Sequence, residues 1–240
     1  MRKDVQRVIR VLERTLGIPR QKKNRTPPID MLIGTLLSQN TNDRNSHRAY
    51  VELRRCYPTW RKVAEAPALG IAGAIRVGGM KNQKSARIKA LFQRLKQQSG
   101  SYNLRGLEEM SDDGVIEALT KFNGIGIKTA ACVLLFSMRR NVFPVDTHVH
   151  RICNRLGLVR TKSPDKTFEM MRPLVPDTKA YSFHTNLIRF GRSVCLARNP
   201  RCGRCPLFSV CRFPNKKEYA AKSADGPVRR DHKFMLLDEI

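Results

Sequence analysis

The chain has 240 residues, 41% hydrophobic and 28% charged, which is enough to bury one sizeable core or two small ones. It carries 46 Lys and Arg against 20 Asp and Glu, a net charge of +26, and residues 215–240 hold only six of the basic and five of the acidic side chains. Such a surplus on the body of the chain indicates a polyanionic partner, nucleic acid first, with a ribosomal or membrane-surface role as the alternative. No stretch approaches the ~20 apolar residues of a membrane span, and residues 1–16 are too charged for a signal peptide, so we expect a cytoplasmic, nucleoid-associated protein.

Helical periodicity runs along nearly the whole chain. Apolar residues from Val5 to Leu16 form one stripe that Gly17 ends, and the sequence Thr-Pro-Pro at 26–28 predicts a cap and first turn before the apolar run Ile29–Leu37. Further helices are predicted at Thr59–Glu65, Ala68–Val77, Asn82–Gln98, Ser111–Lys121, Ile127–Met138 and Thr147–Leu156, with two more opening at Ser163 and Thr178. No segment alternates as a strand would, so the prediction is an all-α fold.

The segment Leu119–Ala131 predicts a helix, a tight turn and a second helix. Gly124 and Gly126 lie in the turn, where glycine permits a sharp change of direction. Backbone amides ahead of the second helix can point at one anion, and a DNA phosphate is the natural candidate. The alternative is a compact turn between packed helices, with no ligand.

Two charged side chains near this hairpin are candidates for chemistry. Lys128 lies in the first turn of the second helix, where the positive end of the helix dipole favours the neutral amine, a nucleophile for carbon. The alternative is an ordinary solvated lysine. Asp146 precedes the helix Thr147–Leu156 and is placed to cap it; if it also faces the reaction, its carboxylate can handle protons and stabilise positive charge on a sugar.

The hairpin residues Gly124 to Ala130, followed by Val145-Asp146-Thr147-His148, resemble the helix-hairpin-helix superfamily of DNA glycosylases, and its endonuclease III branch in particular. The resemblance implies that Lys128 attacks the deoxyribose C1′ to form a Schiff base and that Asp146 assists. The expected activity is therefore that of a bifunctional DNA glycosylase and abasic-site lyase, which cleaves by β-elimination. The alternatives are a glycosylase that only removes the base, with Lys128 as a phosphate contact, and a non-catalytic DNA-binding module with a structural zinc.

Four of the seven cysteines crowd into residues 195–211. They are Cys195, Cys202, Cys205 and Cys211, separated by six, two and five residues. Four thiolates so close together can hold a metal, and chemistry alone allows zinc or an iron–sulfur cube. The spacing resembles the endonuclease III cluster motif at all four positions, and that resemblance implies a [4Fe-4S] cluster.

The loop between the first two of these cysteines is cationic. The resemblance places it beside DNA, which makes Arg198 and Arg201 candidate phosphate contacts. The three remaining cysteines are predicted to be packed thiols. They are Cys56, Cys132 and Cys153.

An enzyme that acts on a base in a duplex must flip that base out and fill the gap. By resemblance Asn40 is the gap filler, with Gln39 as the rival, and Met80 is the apolar wedge. The alternative for Met80 is a helix-start residue packed into the core. Asn40 and Lys81 stand where typical bacterial endonuclease III has Gln and an aromatic residue, and the stretches around Asn40 and Met80 resemble plant 5-methylcytosine glycosylases. We therefore expect damaged or mispaired pyrimidines as substrates, including mispaired thymine or uracil.

The resemblance also implies an architecture of two helical domains that flank a DNA cleft. Residues 27–138 are expected to form a six-helix barrel that contains the hairpin, and residues 1–26 with 139–214 the iron–sulfur cluster domain. Residues 215–240 lose periodicity and are predicted to be mostly flexible. The expected partner is double-stranded DNA that contains a damaged or mispaired base or an abasic site, bound by a monomer.

Overall fold

The computed structural model describes residues 1–21 and 23–222, and across these ranges it contains helices and no strand. The α-helices are α1 (Arg2–Leu16), α2 (Pro28–Leu37), α3 (Asp43–Cys56), α4 (Trp60–Glu65), α5 (Ala68–Ala74), α6 (Lys81–Ser99), α7 (Asp112–Thr120), α8 (Ile127–Cys132), α9 (Thr147–Leu156), α10 (Pro164–Met171), α11 (Ala180–Ser193) and α12 (Lys216–Ala221). The predicted all-α fold is confirmed. No helix among the described residues is long and apolar enough to cross a membrane.

The described residues divide into two compact units. One consists of residues 23–140 and contains α2 to α8. The other consists of residues 1–21 and 141–222 and contains α1 and α9 to α12.

Helix α2 is the buried centre of the unit formed by residues 23–140. It packs against α3, α6 and α8 and is buried almost along its whole length because it carries a single charge, Asp30. That carboxylate accepts hydrogen bonds from the Tyr50 hydroxyl at 2.6 Å and the Trp60 indole Nε1 at 3.1 Å. The one charge on the central helix is therefore satisfied within the unit.

Helix α11 has the corresponding place in the unit formed by residues 1–21 and 141–222. It packs against α1 and α9, and its buried residues include Phe183, Leu187 and Phe190. Helix α1 presents the predicted apolar stripe to it, while Glu13 on α1 accepts hydrogen bonds from Lys179 Nζ at 3.0 Å and the Ser182 hydroxyl at 2.7 Å. Apolar packing and these polar contacts hold α1 against α11.

Helix α3 was not predicted, because its apolar pattern is weak. Its buried face consists of Ser46, Ala49, Tyr50 and Leu53, which have helical spacing but include only one large aliphatic residue. Asn42 caps the helix by accepting from the Asn45 amide at 2.9 Å.

Two predicted helix starts were wrong. Thr178 does not open α11: its φ is +66°, and the helix begins at Ala180, whose amide donates to the Asn141 side chain at 3.1 Å. Thr26 does not cap α2, because Pro27 occupies the cap position and the Thr26 carbonyl accepts from the Ser137 hydroxyl instead, at 2.6 Å.

The hairpin's second helix also differs from its prediction as one continuous α-helix. Residues Val133–Ser137 continue α8 as a π-helix, in which the amide of Met138 donates to the carbonyl of Val133 five residues earlier.

The tail predicted to be mostly flexible from residue 215 begins with an ordered helix, α12. Tyr219 stacks on Phe213 with ring centroids 6.0 Å apart, and Lys216 Nζ donates to the carbonyls of Phe208 and Cys211. These contacts to the cysteine-rich segment stabilise α12, whose own sequence shows little helical periodicity. Residues 223–240, which the prediction also covers, lie outside the described residues.

Candidate nucleic-acid interface and metal centre

The two glycines in the hairpin between α7 and α8 differ in whether the backbone there could accept another residue. Gly124 has a φ of +81°, and a Cβ there would lie 2.5 Å from the Arg87 side chain. Gly126 caps α8 with an ordinary extended backbone, and a Cβ there would meet nothing within 4 Å. The fold itself requires glycine at 124 and leaves room for a side chain at 126.

Lys128 is the second residue of α8, as the sequence predicts. The residues that follow it, Thr129 to Cys132, are buried, whereas Lys128 is half-buried. Lys128 is therefore on the less buried side of the helix, in the first turn after the hairpin.

The hairpin lines a concave surface together with the segment that follows α2. Lys121, Gly126, Asn40 and Arg87 are among the residues that line it. Gln39 joins the two segments, because its Nε2 donates to the Gly124 carbonyl at 2.9 Å and its Oε1 accepts from Arg87 Nη1 at 3.1 Å. Gln39 is thus engaged within the protein, while Asn40 beside it is exposed.

Asn40 and Met80 lie together, although 40 residues separate them in the sequence. Both have left-handed backbones, with φ of +51° and +49°, and Asn40 Nδ2 donates to Met80 Sδ at 3.4 Å. Met80 is 44% exposed, so the alternative that it packs into the core is wrong. Residues other than glycine rarely adopt this backbone conformation, and such strained residues are concentrated at functional sites.

Asp146 caps α9, as predicted. Its Oδ1 accepts from the Val149 amide at 2.8 Å, which satisfies one free amide of the first turn. The half-buried carboxylate keeps a second oxygen for other contacts. Burial lowers the pKa of nearby His148, an effect that the negative charge of Asp146 opposes.

Arg151, which the sequence reasoning did not single out, joins α9 to the cysteine-rich segment. Its Nη2 donates to the Cys195 carbonyl at 2.8 Å and the Gly191 carbonyl at 3.2 Å. Burial lowers the pKa of this guanidinium, and the charge of Cys195 opposes that effect.

The four clustered cysteines line one cavity, whose other walls include Leu156, Phe190, Val194 and Phe213. They surround the cavity instead of converging, and no group of three or more His, Cys, Asp or Glu in the described residues is arranged to hold a single metal ion. Burial raises the pKa of the Cys205 thiol to about 12 and also raises the pKa of Cys202 and Cys211. Four sulfur donors around one apolar cavity fit an iron–sulfur cube.

Two cations that contact the clustered cysteines, Arg155 and Lys216, were not predicted. Arg155 Nη1 approaches Cys195 Sγ at 3.5 Å and donates to the Leu196 carbonyl at 2.7 Å, while its guanidinium lies over the Phe213 ring. Lys216 Nζ donates to the Cys211 carbonyl at 2.6 Å. Positive charge at these positions suits a group held by thiolates.

The loop between Cys195 and Cys202 exposes both predicted arginines. Arg201 also anchors the loop, because its Nη1 donates to the Ser193 carbonyl at 3.1 Å. Of the other cysteines, Cys132 and Cys153 are buried as predicted. Cys56 is exposed, which corrects its prediction: it ends α3, and its thiol donates to Glu52 Oε1 at 3.5 Å.

Two family models match this chain. Residues 33–177 match the HhH-GPD superfamily of base excision DNA repair proteins, and residues 195–211 match the iron–sulfur binding domain of endonuclease III. The chain is 36% identical to the endonuclease III of Thermotoga maritima over 199 residues, which are 83% of this chain and 89% of that protein. Two solved structures, a non-covalent endonuclease III–DNA complex and a trapped endonuclease III–DNA covalent intermediate, match 91% of this chain and 98% and 99% of theirs, each at 25% identity and a TM-score of 0.77.

Proposed function

Because the chain belongs to the endonuclease III family of HhH-GPD base excision DNA repair proteins, we propose that it removes a damaged or mispaired pyrimidine from duplex DNA and then cleaves the strand at the abasic site. The observation that carries the lyase step is the position of Lys128, a half-buried lysine in the first turn after the hairpin. The trapped covalent complex of a relative with DNA supports the same step.

The proposed reaction begins with attack of the neutral Lys128 amine on C1′ of the deoxyribose. The new N–C1′ bond forms as the C1′–base bond breaks, and the departing base takes the electron pair and then a proton. Opening of the sugar ring gives a Schiff base between Lys128 and C1′. Loss of a proton from C2′ then expels the 3′ phosphate by β-elimination, which cuts the strand.

Asp146 supports this reaction as a carboxylate. In this proposal its carboxylate handles protons and stabilises positive charge that develops on the sugar as the base departs. The capping bond to Val149 uses one oxygen and fixes the orientation of the carboxylate.

The DNA contacts of the proposal involve both compact units. In residues 27–138, the proposed barrel domain, the amides of Gly124 and Gly126 bind a backbone phosphate, Asn40 fills the gap left by the flipped base, and Met80 is the wedge. Gln39, the rival gap filler, has both polar atoms of its amide engaged within the protein, which favours Asn40.

Residues 1–26 with 139–214 form the proposed cluster domain, which binds DNA through Arg198 and Arg201. Its four cysteines hold a [4Fe-4S] cluster, a redox-active group that also cross-links the surrounding loops. The protein acts as an intracellular monomer.

The test compares native protein with two variants of the same hairpin. Duplexes that each contain one modified or mispaired pyrimidine are assayed separately for base release and strand cleavage, and borohydride is added to reduce any Schiff base to a stable cross-link. Lys128→Gln should abolish the cross-link and leave DNA binding nearly unchanged, because one charge among many contributes little to affinity. The matched control, Lys121→Gln, removes an exposed hairpin lysine and should cross-link like the native protein.

The possible results separate the proposal from its alternatives. Trapping by Lys128→Gln at the native rate would mean that another amine is the nucleophile. Base release without trapping or strand cleavage would identify a glycosylase that only removes the base. Duplex binding with no base release and no cleavage on any substrate would identify a DNA-binding module.

A further inference from the structure

Lys84 is a charged side chain sealed in the interior of the unit formed by residues 23–140. It is 1% exposed and lies on the buried face of α6, in line with Ile88 and Leu91. Burial, with a smaller contribution from Arg87, lowers its pKa to about 8. Enclosing an ammonium in this way is unfavourable compared with an apolar side chain of similar length, so its retention requires an explanation in the contacts it makes.

The ammonium joins the ends of two separate elements. Lys84 Nζ donates to the Leu37 carbonyl at 2.8 Å and to the Gly78 carbonyl at 2.8 Å. Leu37 is the last residue of α2, and Gly78 ends the short 3-10 helix Arg76–Gly78. Both carbonyls come from ends at which the helical hydrogen-bond pattern stops, and a cation is favoured at the C-terminus of α2.

Each of these ends leads directly into one of the two residues proposed to enter the DNA. Asn40 follows Leu37 by three residues, and Met80 follows Gly78 by two. Both residues hold strained left-handed backbones. Such conformations persist only where the surrounding structure fixes them.

The direct contact between the two residues is too weak for that purpose. It is a single hydrogen bond from an amide to a thioether sulfur, at 3.4 Å and exposed to solvent. The two bonds from Lys84 are charge-assisted, short and shielded from water.

We propose that Lys84 is a positioning residue that holds Asn40 and Met80 at a fixed spacing, so that the gap filler and the wedge enter the DNA helix together. The inference rests on the proposed function. It assigns Lys84 no contact with DNA and no part in the chemistry. Its effect is confined to substrates in which a base has to leave a stacked duplex.

This restriction gives the test. Base release from a lesion duplex requires the gap to be opened and filled, whereas cleavage of an abasic site in single-stranded DNA does not. Lys84→Met keeps the length of the side chain and removes both bonds. The matched control is Lys89→Met, because Lys89 is on the same helix and also donates to a backbone carbonyl, that of Ala64, away from both loops.

Single-turnover rates should separate the two variants. We expect Lys84→Met to lower the rate of base release on the order of 100-fold, the loss typical of a misplacement of about 1 Å. Its rate of single-strand abasic cleavage should stay within about twofold of native, because the Lys128 amine is unaffected. Lys89→Met should keep the native ratio of the two rates.

Two further readouts do not depend on catalysis. Fluorescence of 2-aminopurine opposite a tetrahydrofuran abasic analogue reports whether the stack is opened on binding, and Lys84→Met should lose the change that the native protein produces. Hydrogen exchange should accelerate in residues 38–42 and 79–82 of Lys84→Met and not of Lys89→Met. Should Lys84→Met fail to fold, Lys84→Gln, which keeps two N–H donors on a shorter side chain, is measured in the same way.

The outcomes distinguish this inference from the function on which it rests. Equal loss of both rates in a folded Lys84→Met protein, or no loss of either, overturns the positioning role and leaves the proposed function standing. Native protein that neither releases a base nor cleaves an abasic site overturns the proposed function and the inference with it. A selective loss of base release, with the fluorescence change also lost, supports the role of Lys84.

Discussion

Asp146 is expected to have a structural and a chemical role, and two substitutions can separate them. Asp146→Asn keeps an oxygen to accept the hydrogen bond from the Val149 amide, now 2.8 Å from Oδ1, and removes only the charge. Asp146→Ala removes both. Loss of the favourable interaction between the charge and the helix N-terminus should lower the free energy of unfolding by about 0.3–1 kcal/mol, and loss of the cap by about 1 kcal/mol more.

These values correspond to small shifts in thermal unfolding. A chain of this size loses about 2–4 °C in Tm for each kcal/mol, so Asp146→Asn should remain folded at the temperature of the assay. If the carboxylate handles protons and stabilises charge in the reaction, Asp146→Asn should slow base release by about 10²- to 10⁴-fold. The loss of rate would then far exceed what the loss of stability explains.

The assays are thermal unfolding and single-turnover base release, together with affinity for a duplex that contains an abasic analogue. Ser163→Ala is the matched control, because it removes a cap from α10 in the same compact unit, where Ser163 accepts from the Lys166 amide at 3.3 Å. Ser163→Ala should lower the free energy of unfolding by about as much as loss of the Asp146 cap does, and it should leave the rate of base release unchanged. If Asp146→Asn releases bases at the native rate, Asp146 is only a helix cap and the chemical role is refuted.

Two further predictions concern the hairpin and the metal. Gly126→Val should fold, since a Cβ at 126 meets nothing within 4 Å, but it should weaken DNA binding because its side chain blocks the close approach of a phosphate to the backbone amides, whereas exposed Gly106→Val should not weaken binding. An unchanged DNA affinity in folded Gly126→Val would contradict the phosphate role. Protein purified without oxygen should contain iron and sulfide at about four each per chain and absorb near 400 nm, and stoichiometric zinc with no iron would refute the cluster assignment.

The starts of several helices could be predicted because a local side chain determines them. Thr59, Ser111, Asp146 and Ser163 all precede helices in the sequence, and in the structure each accepts a hydrogen bond from an amide in the first turn of its helix. A cap acts within three residues, so the sequence alone contains the whole interaction. The same is true of the cysteine spacing, which confines four donors to one short segment whatever surrounds it.

The start of α11 could not be predicted in this way because a distant residue determines it. Thr178 resembles a cap in sequence, yet the amide of Ala180 donates to Asn141, which is 39 residues away. Cys56 was misjudged for a similar reason, since its exposure depends on where α3 ends and what packs there. Each error concerns a contact that exists only in the folded chain.

The conformations of the loops that contain Asn40 and Met80, at the proposed DNA-binding surface, could not be predicted from local sequence either. Neither residue type favours a left-handed backbone strongly enough to predict one, and the interactions that hold these loops span long stretches of sequence: 47 residues from Lys84 to Leu37 and 85 from Gln39 to Gly124. The local signal for Lys84 was its place in the apolar stripe of α6, where a buried methionine or leucine is the ordinary choice. A charge at such a position is kept only if the fold supplies carbonyls that accept hydrogen bonds from it. A lysine in line with core residues is therefore best interpreted as a residue that fixes the backbone segments to which it donates.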